Sequence, residues 1–356
     1  MRSLILSVGA VLLSSLVVQS DAQSCNGYAE LCSKSYSKVA FATTHNSYAF
    51  NPPGGLATNQ GNDIPTQLKD GIRAFMLDTY IPPSKDPKEI QLCHTSCNLL
   101  DGGTLTKALG QIKSFLDENP NEVITIIYEN ADNLKPAVFK SVYAAAGVEK
   151  YSYAQPAGNG AWPTLSQMIS TGKRLVSFVD KGADASVPWL MAEFSYVFET
   201  PYNILKDQPY PCTIDRPKDQ KRPLYVLNHF IQGQFGGEGQ KISIPQPGAA
   251  NKTNGPDLTA HISDCQKTFK QIPNFIAVDF YDRGSLLETV ANVNGVKWNG
   301  QQATPAKGSG TGTGSRSGSG PGGIDSGAAA TWRNRDNKSI LGALAVVATV
   351  MGMLVV

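Results

Sequence analysis

The sequence predicts an α/β domain of the TIM-type (β/α)8 barrel class. Three observations lead there: eight short β-rich apolar runs, segments of helical spacing between them, and polar residues gathered at one end of each run. Strands alternating with helices imply parallel pairing through right-handed crossovers, and eight such units favour a closed barrel. An open doubly wound sheet is the alternative, but the glycine-rich phosphate turn it would carry after its first strand is absent.

In chain order the runs are KVAFA (38–42), IRAFMLD (72–78), EIQLCH (89–94), EVITIIYE (122–129), RLVSFVD (174–180), SYVFET (195–200), LYVLNH (224–229) and FIAVDFY (275–281). β-Branched and aromatic residues dominate them, as a pleated, half-buried surface requires. Amphipathic stretches at 104–119, 135–147, 164–172 and 257–272 supply the helical spacing between runs. We find no internal sequence repeat.

The two ends of the chain differ from this body. Arg2, an apolar run from Leu4 to Val18, and the small residues Ser20 and Ala22 form a secretory signal peptide over 1–22. Residues 307–327 are mostly Gly and Ser, which bury too little apolar surface to fold, and read as a stalk. Beyond it come a polar spacer and an uncharged apolar tail over 339–356, with nothing basic after it. That order describes a GPI-attachment signal over 328–356, with Ser326 or Gly327 as the attachment residue, and favours it over a retained membrane span. The expected mature protein is a monomeric body of 23–306 tethered to the outer leaflet.

Composition agrees with export. Six cysteines suit an oxidising compartment and allow fifteen pairings; Cys25/Cys32 and Cys93/Cys97 are short-loop candidates, which leaves Cys212/Cys265. Zinc is the rival reading, but no CxxC spacing occurs. Asn251-Lys252-Thr253 is an N-glycosylation acceptor. A formal net charge of +2 with no basic stripe gives no sign of a nucleic-acid partner.

The eight runs end in His45-Asn46, Asp78, His94, Glu129, Asp180-Lys181, Glu199, Asn228-His229 and Asp279-Tyr281. In a parallel barrel all strand C-termini open on one face, so these groups are expected to converge there. One strand-end carboxylate alone would be read as a helix cap or loop anchor; the joint pattern points to a site. His261, in a helical pattern with Asp264 near it, is expected to be a surface or half-buried side chain. His229 is read either as a pocket-rim residue or as a structural hydrogen-bond partner.

TTHNSYA, followed by GIRAFMLD, LCH and EVITIIYEN, resembles the X region of phosphatidylinositol-specific phospholipase C, in the branch of secreted PLC-like phosphodiesterases. The resemblance is strongest over about 36–132 and continues more weakly through RLVSFVDK and NFIAVDFYDRG. It implies a TIM-type barrel that is often imperfectly closed, and phosphodiester cleavage by two histidines, His45 as general base and His94 as general acid, with Asp279 orienting His45. Histidine suits both tasks near neutral pH.

The same resemblance implies a Ca²⁺ site from Asn46, Asp78 and Glu129, all hard oxygen donors. Met76 departs from the pattern, because calcium enzymes carry an acid there, and a weaker metal site is expected. Lys181 and Tyr281 are the candidate substrate-binding residues, Lys181 being read either as a point charge for the phosphate or as a solvated loop lysine. The implied substrate is a phosphoinositide; another phosphodiester, such as a GPI glycolipid, is an alternative. A different class, a cell-surface or wall-associated binding protein with little turnover, is the other alternative, and the presence of both histidines favours the enzyme. No accessory lipid module or aromatic rim motif is visible in the sequence.

Overall fold

The structure, a computed structural model, describes residues 24–50, 55–156, 160–218, 220–235 and 242–306. The segments expected to be a signal peptide, a stalk and an attachment signal, with Ser326 and Gly327, lie outside the described residues. Among those residues no helix is long and apolar enough to cross a membrane.

The strands are β1 (Phe41–Thr44), β2 (Ala74–Tyr80), β3 (Gln91–Cys93), β4 (Asp101–Thr104), β5 (Ile124–Asn130), β6 (Ser152–Tyr153), β7 (Leu175–Val179), β8 (Leu190–Ala192), β9 (Val197–Glu199), β10 (Leu224–Asn228), β11 (Gln232–Phe235), β12 (Ile242–Pro245) and β13 (Phe275–Val278). The α-helices are α1 (Ile64–Asp70), α2 (Leu105–Glu118), α3 (Pro136–Ala146), α4 (Leu165–Ser170), α5 (Glu193–Tyr196), α6 (Ala250–Lys252), α7 (Leu258–Phe269) and α8 (Leu286–Asn294).

Parallel ladders run β8·β7·β5·β2·β1·β13·β10·β9, with short β6 pairing the first half of β7 and β8 its second half. No ladder joins β8 to β9 among the described residues, so the barrel is open at one seam, which α5 bridges along the chain.

Seven of the eight predicted runs are barrel staves. The run 89–94 is not: β3 pairs antiparallel with β2 and with β4, forming a hairpin beside the barrel. The missing stave is β8, a three-residue strand too short to register as a β-rich run. Four predicted helical stretches appear as α2, α3, α4 and α7; α1, α8 and the short α5 and α6 are additional.

Caps fix the helix ends. Asp63 accepts from Thr66 N (3.0 Å) at the start of α1, and Thr164 and Gln167 form a capping box on α4. Helix α1 stops at Gly71, whose φ of 108° suits glycine above other residues.

Strand alternation divides the core into two layers. One face of the staves, with Phe41, Ala74, Ile127, Val176, Phe178, Val197, Leu224, Val226, Phe275 and Ala277, fills the interior together with Tyr36 and Trp162. The other face, with Phe75, Leu77, Ile126, Tyr128, Val179, Phe198, Tyr225 and Ile276, packs against the helices. All six cysteines pair as Cys25–Cys32, Cys93–Cys97 and Cys212–Cys265.

Candidate active site

Following the interior face two residues further along each stave gives the site. Thr43 leads to His45, Met76 to Asp78, Ile127 to Glu129, Phe178 to Asp180, Met191 to Glu193, Val197 to Glu199, Val226 to Asn228 and Ala277 to Asp279. The period of two that buries apolar residues lower in the barrel therefore aims these polar groups inward at its C-terminal end. All except Asp279 line one cleft with Met76, Tyr202, Arg216 and Phe230.

His45 sits one residue beyond β1. Its Nδ1 lies 2.8 Å from Asp279 Oδ1, and its ring stacks on Phe230, centroids 3.8 Å apart with planes 1° from parallel. Asn59 Nδ2 donates to the same Asp279 oxygen (3.0 Å), and Gln60 Nε2 donates to the His45 carbonyl (2.7 Å). Burial alone pushes the imidazole down, but the Asp279 carboxylate, helped by Asp78 and Glu129, holds it above the ordinary histidine value.

His94 comes from the β3–β4 hairpin, inside the loop that the Cys93–Cys97 disulfide closes. Its Nδ1 is 2.7 Å from the Ala57 carbonyl, which fixes the proton on Nδ1 in the neutral ring and leaves Nε2 free to react. Burial lowers its pKa despite that hydrogen bond, and the charges of His45 and Asp279 both reach it.

Asp78 and Glu129 are register partners on β2 and β5. Asp78 is half-buried and Glu129 exposed. Burial, then the Glu129 charge, pushes the Asp78 carboxyl up to about 7. Asn46 leaves the strand at φ 44° and is buried. Its amide satisfies its surroundings when the nitrogen donates to both Asp78 oxygens (3.1 and 3.2 Å) and the oxygen faces His45 Nε2 (3.3 Å). Two adjacent carboxylates that repel each other fit a hard divalent cation. Asn46 fits it as a support for Asp78, since its oxygen faces the histidine. Cys212, His261 and Cys265 also have close donor atoms, but both sulfurs are consumed in their disulfide.

Two expected substrate residues fall elsewhere. Tyr281 is buried, its hydroxyl donating to Asp70 Oδ2 (2.7 Å) and accepting from Asn62 (3.1 Å). The backbone turns at Phe280, φ 48°, so the strand's alternation no longer aims Tyr281 into the cleft. Lys181 follows the inward Asp180, has the opposite parity, and is exposed outside the cleft lining.

Outward parity also takes His229 into the outer layer, where its Nδ1 is 2.9 Å from Nδ1 of His261 on α7 and its Nε2 donates to the Thr253 carbonyl. Both rings are buried, contrary to the surface or half-buried position expected for His261, and burial lowers them to about 3 and about 4. They are a neutral structural pair rather than cleft residues.

Sequence reasoning missed Glu193, Arg216, Phe230, Asn59 and Gln60. Arg216 reaches Glu199 Oε2 through Nη2 (2.7 Å) and Nε (3.2 Å), and its guanidinium lies 4.6 Å from the Tyr202 ring centroid. It lies in the β9–β10 connection, where no periodicity marks it. Glu193 would have followed from parity had β8 been recognised.

The family model for the PI-PLC X region matches residues 31–294. The chain belongs to the PI-PLC X family. It is 34% identical over 294 residues to an uncharacterized secreted protein of Arthroderma benhamiae, covering 78% of this chain and 65% of that one. The chain thus spans just under two thirds of that relative's length. It is also 34% identical over 303 residues to PI-PLC X domain-containing protein 1 of the same fungus, covering 81% of this chain and 96% of that one. Among solved structures it is similar to a mutant phosphatidylinositol-specific phospholipase C from Staphylococcus aureus, at 17% identity and a TM-score of 0.47, covering 74% of this chain and 94% of the other.

Proposed function

We propose that this PI-PLC X protein is a phosphodiesterase that cleaves a phosphoinositide lipid with His45 as general base and His94 as general acid. The observation that carries the reading is the His45–Asp279 pair at 2.8 Å heading an interior cleft, with a second histidine held so that its Nε2 is free.

Asp279 holds His45 Nδ1, so Nε2 faces the cleft and takes the proton of the inositol 2-hydroxyl as that oxygen bonds to phosphorus. The bond from phosphorus to the glycerol oxygen breaks, and His94 Nε2 supplies the proton that makes diacylglycerol neutral. Asp78 and Glu129, with Asn46 bracing Asp78, would hold a Ca²⁺ ion, whose charge would offset that on the phosphoryl oxygens. Asp279 acts through His45 and is a positioning residue.

A lipid-borne substrate is supported by where the large exposed hydrophobics lie among the described residues. Phe50 and Leu56 are in the loop that follows His45, Ile81 follows β2, and Leu99 is in the loop that carries His94. These four side chains supply an apolar rim that no sequence motif announces. The three disulfides and the similarity to a secreted fungal protein support passage through the secretory pathway, and the tail composition supports a GPI anchor as the outer-leaflet tether.

Phosphorus NMR of phosphatidylinositol vesicles incubated with the protein tests the reading. Growth of a water-soluble cyclic inositol phosphate is expected; vesicles that keep all their phosphorus would overturn it.

A further inference from the structure

His45 and Asp279 are both held by one loop. Asn59 Nδ2 donates to Asp279 Oδ1 (3.0 Å), Gln60 Nε2 donates to the carbonyls of His45 (2.7 Å) and Val278 (3.0 Å), and the Asn59 carbonyl accepts from Phe280 N (2.8 Å). Asn59 and Gln60 are buried. Whatever fixes this loop therefore fixes the pair.

The loop rests in turn on a strap, residues 303–306, which directly precedes the Gly- and Ser-rich segment in the chain. Asn62 Nδ2 donates to the Thr304 carbonyl (2.6 Å) and to the Tyr281 hydroxyl (3.1 Å). Thr304 N donates to Asp70 Oδ2 (2.7 Å), Thr304 Oγ1 donates to Asp70 Oδ1 (2.7 Å), and the Tyr281 hydroxyl donates to Asp70 Oδ2 (2.7 Å). Asp70 is 4% exposed and forms no ion pair among the described residues. A buried carboxylate depends on its donors, and two of these three belong to Thr304. Thr304 itself is exposed, so burial does not account for its place; its polar groups do.

The strap also touches the loop directly. Ala306 N donates to Asp282 Oδ2 (3.3 Å), and a Cβ on Gly61 would meet Ala306 Cβ at 2.5 Å, so the close approach between Gln60 and Asn62 needs glycine. The contacts of the strap fall on Asn62 and Asp282, which lie two residues beyond Gln60 and three beyond Asp279. A strap that only covered apolar surface would have no need to meet both segments that carry the base and its partner.

We propose that Thr304 and Ala306 are positioning residues for the catalytic base: through Asn62, Asp70, Tyr281 and Asp282 the strap sets the 59–62 loop and the turn after Asp279, and with them the orientation of His45. The inference rests on the phosphodiesterase reading, in which His45 is the base, and gives buried Tyr281 a part in the site from outside the cleft.

The test uses the full chain with phosphatidylinositol vesicles, reading kcat and KM, beside amide hydrogen exchange followed by NMR at His45, Phe280 and Tyr281. Thr304→Val removes only the hydroxyl that meets Asp70, and is expected to lower kcat about tenfold with KM changed less than about twofold. Exchange at the three amides is expected to speed up about tenfold while the amides of β5 and β7 keep their protection. Thr304→Ser, which keeps the hydroxyl, is expected to restore both. Gly61→Ala is expected to lower kcat to a similar extent, and Ala306→Gly added to it, removing the atom the new methyl meets, to recover most of the loss. Gly61 has no positive φ, so this alanine strains the contact and not the backbone. A kcat for Thr304→Val within about twofold of the unsubstituted protein overturns the proposal. Faster exchange spread through β5 and β7 also overturns it, since that marks a strap that only stabilises the barrel. If no lipid turns over, the phosphodiesterase reading fails and exchange decides the strap by itself: an increase confined to the three amides supports its hold on His45, and unchanged exchange overturns it.

Discussion

His45 and His94 are held by different partners, and the difference sets their protonation. A carboxylate holds His45 above the ordinary value, while burial holds His94 below it. A base must be neutral and an acid protonated, so between the two pKa values each histidine rests mainly in its unproductive form, and the productive fraction is small and constant. Below the lower value the neutral fraction of His45 keeps falling; above the upper value the protonated fraction of His94 does. A bell-shaped profile of kcat/KM is therefore expected, with one limb above and one below the ordinary histidine value. Asp279→Asn removes the carboxylate that raises His45. It is expected to lower kcat on the order of 10²-fold and to move the upper limb down in pH, whereas a folding defect would reduce the active fraction without moving the limb. Residue type and strand-end position made His45, Asp78, Glu129 and Asp279 visible in the sequence. Tyr281 was misplaced because the turn at Phe280, φ 48°, is a backbone event that no side-chain pattern announces.

Elements decide which of these residues meet. Each long stave carries its interior parity from the apolar layer to the cleft, so one alternation explains both Phe178 in the core and Asp180 at the mouth. Phe178 is fully buried and packs edge-on against Phe275, centroids 6.2 Å apart. Phe178→Ala is expected to cost about 3–5 kcal/mol, read by denaturant unfolding. The β3–β4 hairpin delivers His94 by another route. Its run of 89–94 reads in sequence like a stave, because a strand packed beside a barrel needs the same β-rich residues; only pairing direction separates the two. With His94 in a loop that the Cys93–Cys97 disulfide closes, Cys93→Ala/Cys97→Ala is expected to lower kcat several-fold while circular dichroism stays unchanged. Unchanged kcat would show that the Ala57 hydrogen bond alone places the ring.

At the scale of the molecule, the barrel concentrates negative charge at one end, and the like-charged pair Asp78 and Glu129 gives a measurable consequence. The native Asp78 carboxyl keeps its proton to about 7 against an ordinary 3.8, so between these values the native state binds more protons than the unfolded one. Stability is then lost as pH rises through that window. Bound Ca²⁺ would offset the repulsion, so added Ca²⁺ is expected to raise Tm at pH 7 and to do little at pH 4; no shift at pH 7 would count against the metal. The (β/α)8 class was legible because seven staves repeat a run-and-helix rhythm with polar ends. Imperfect closure was expected, but the place of the seam was not legible, because β8 has three residues and α5 four, too short for any period to register. Glu193 went unseen with them. The central claim is that two histidines brought together by unlike elements cleave a phosphodiester. Its most direct test is kcat/KM on phosphatidylinositol vesicles for the unsubstituted chain, His45→Ala and His94→Ala in parallel. Losses of about 10²-fold or more in both variants are predicted, and turnover equal to that of the unsubstituted protein in either one would contradict the account.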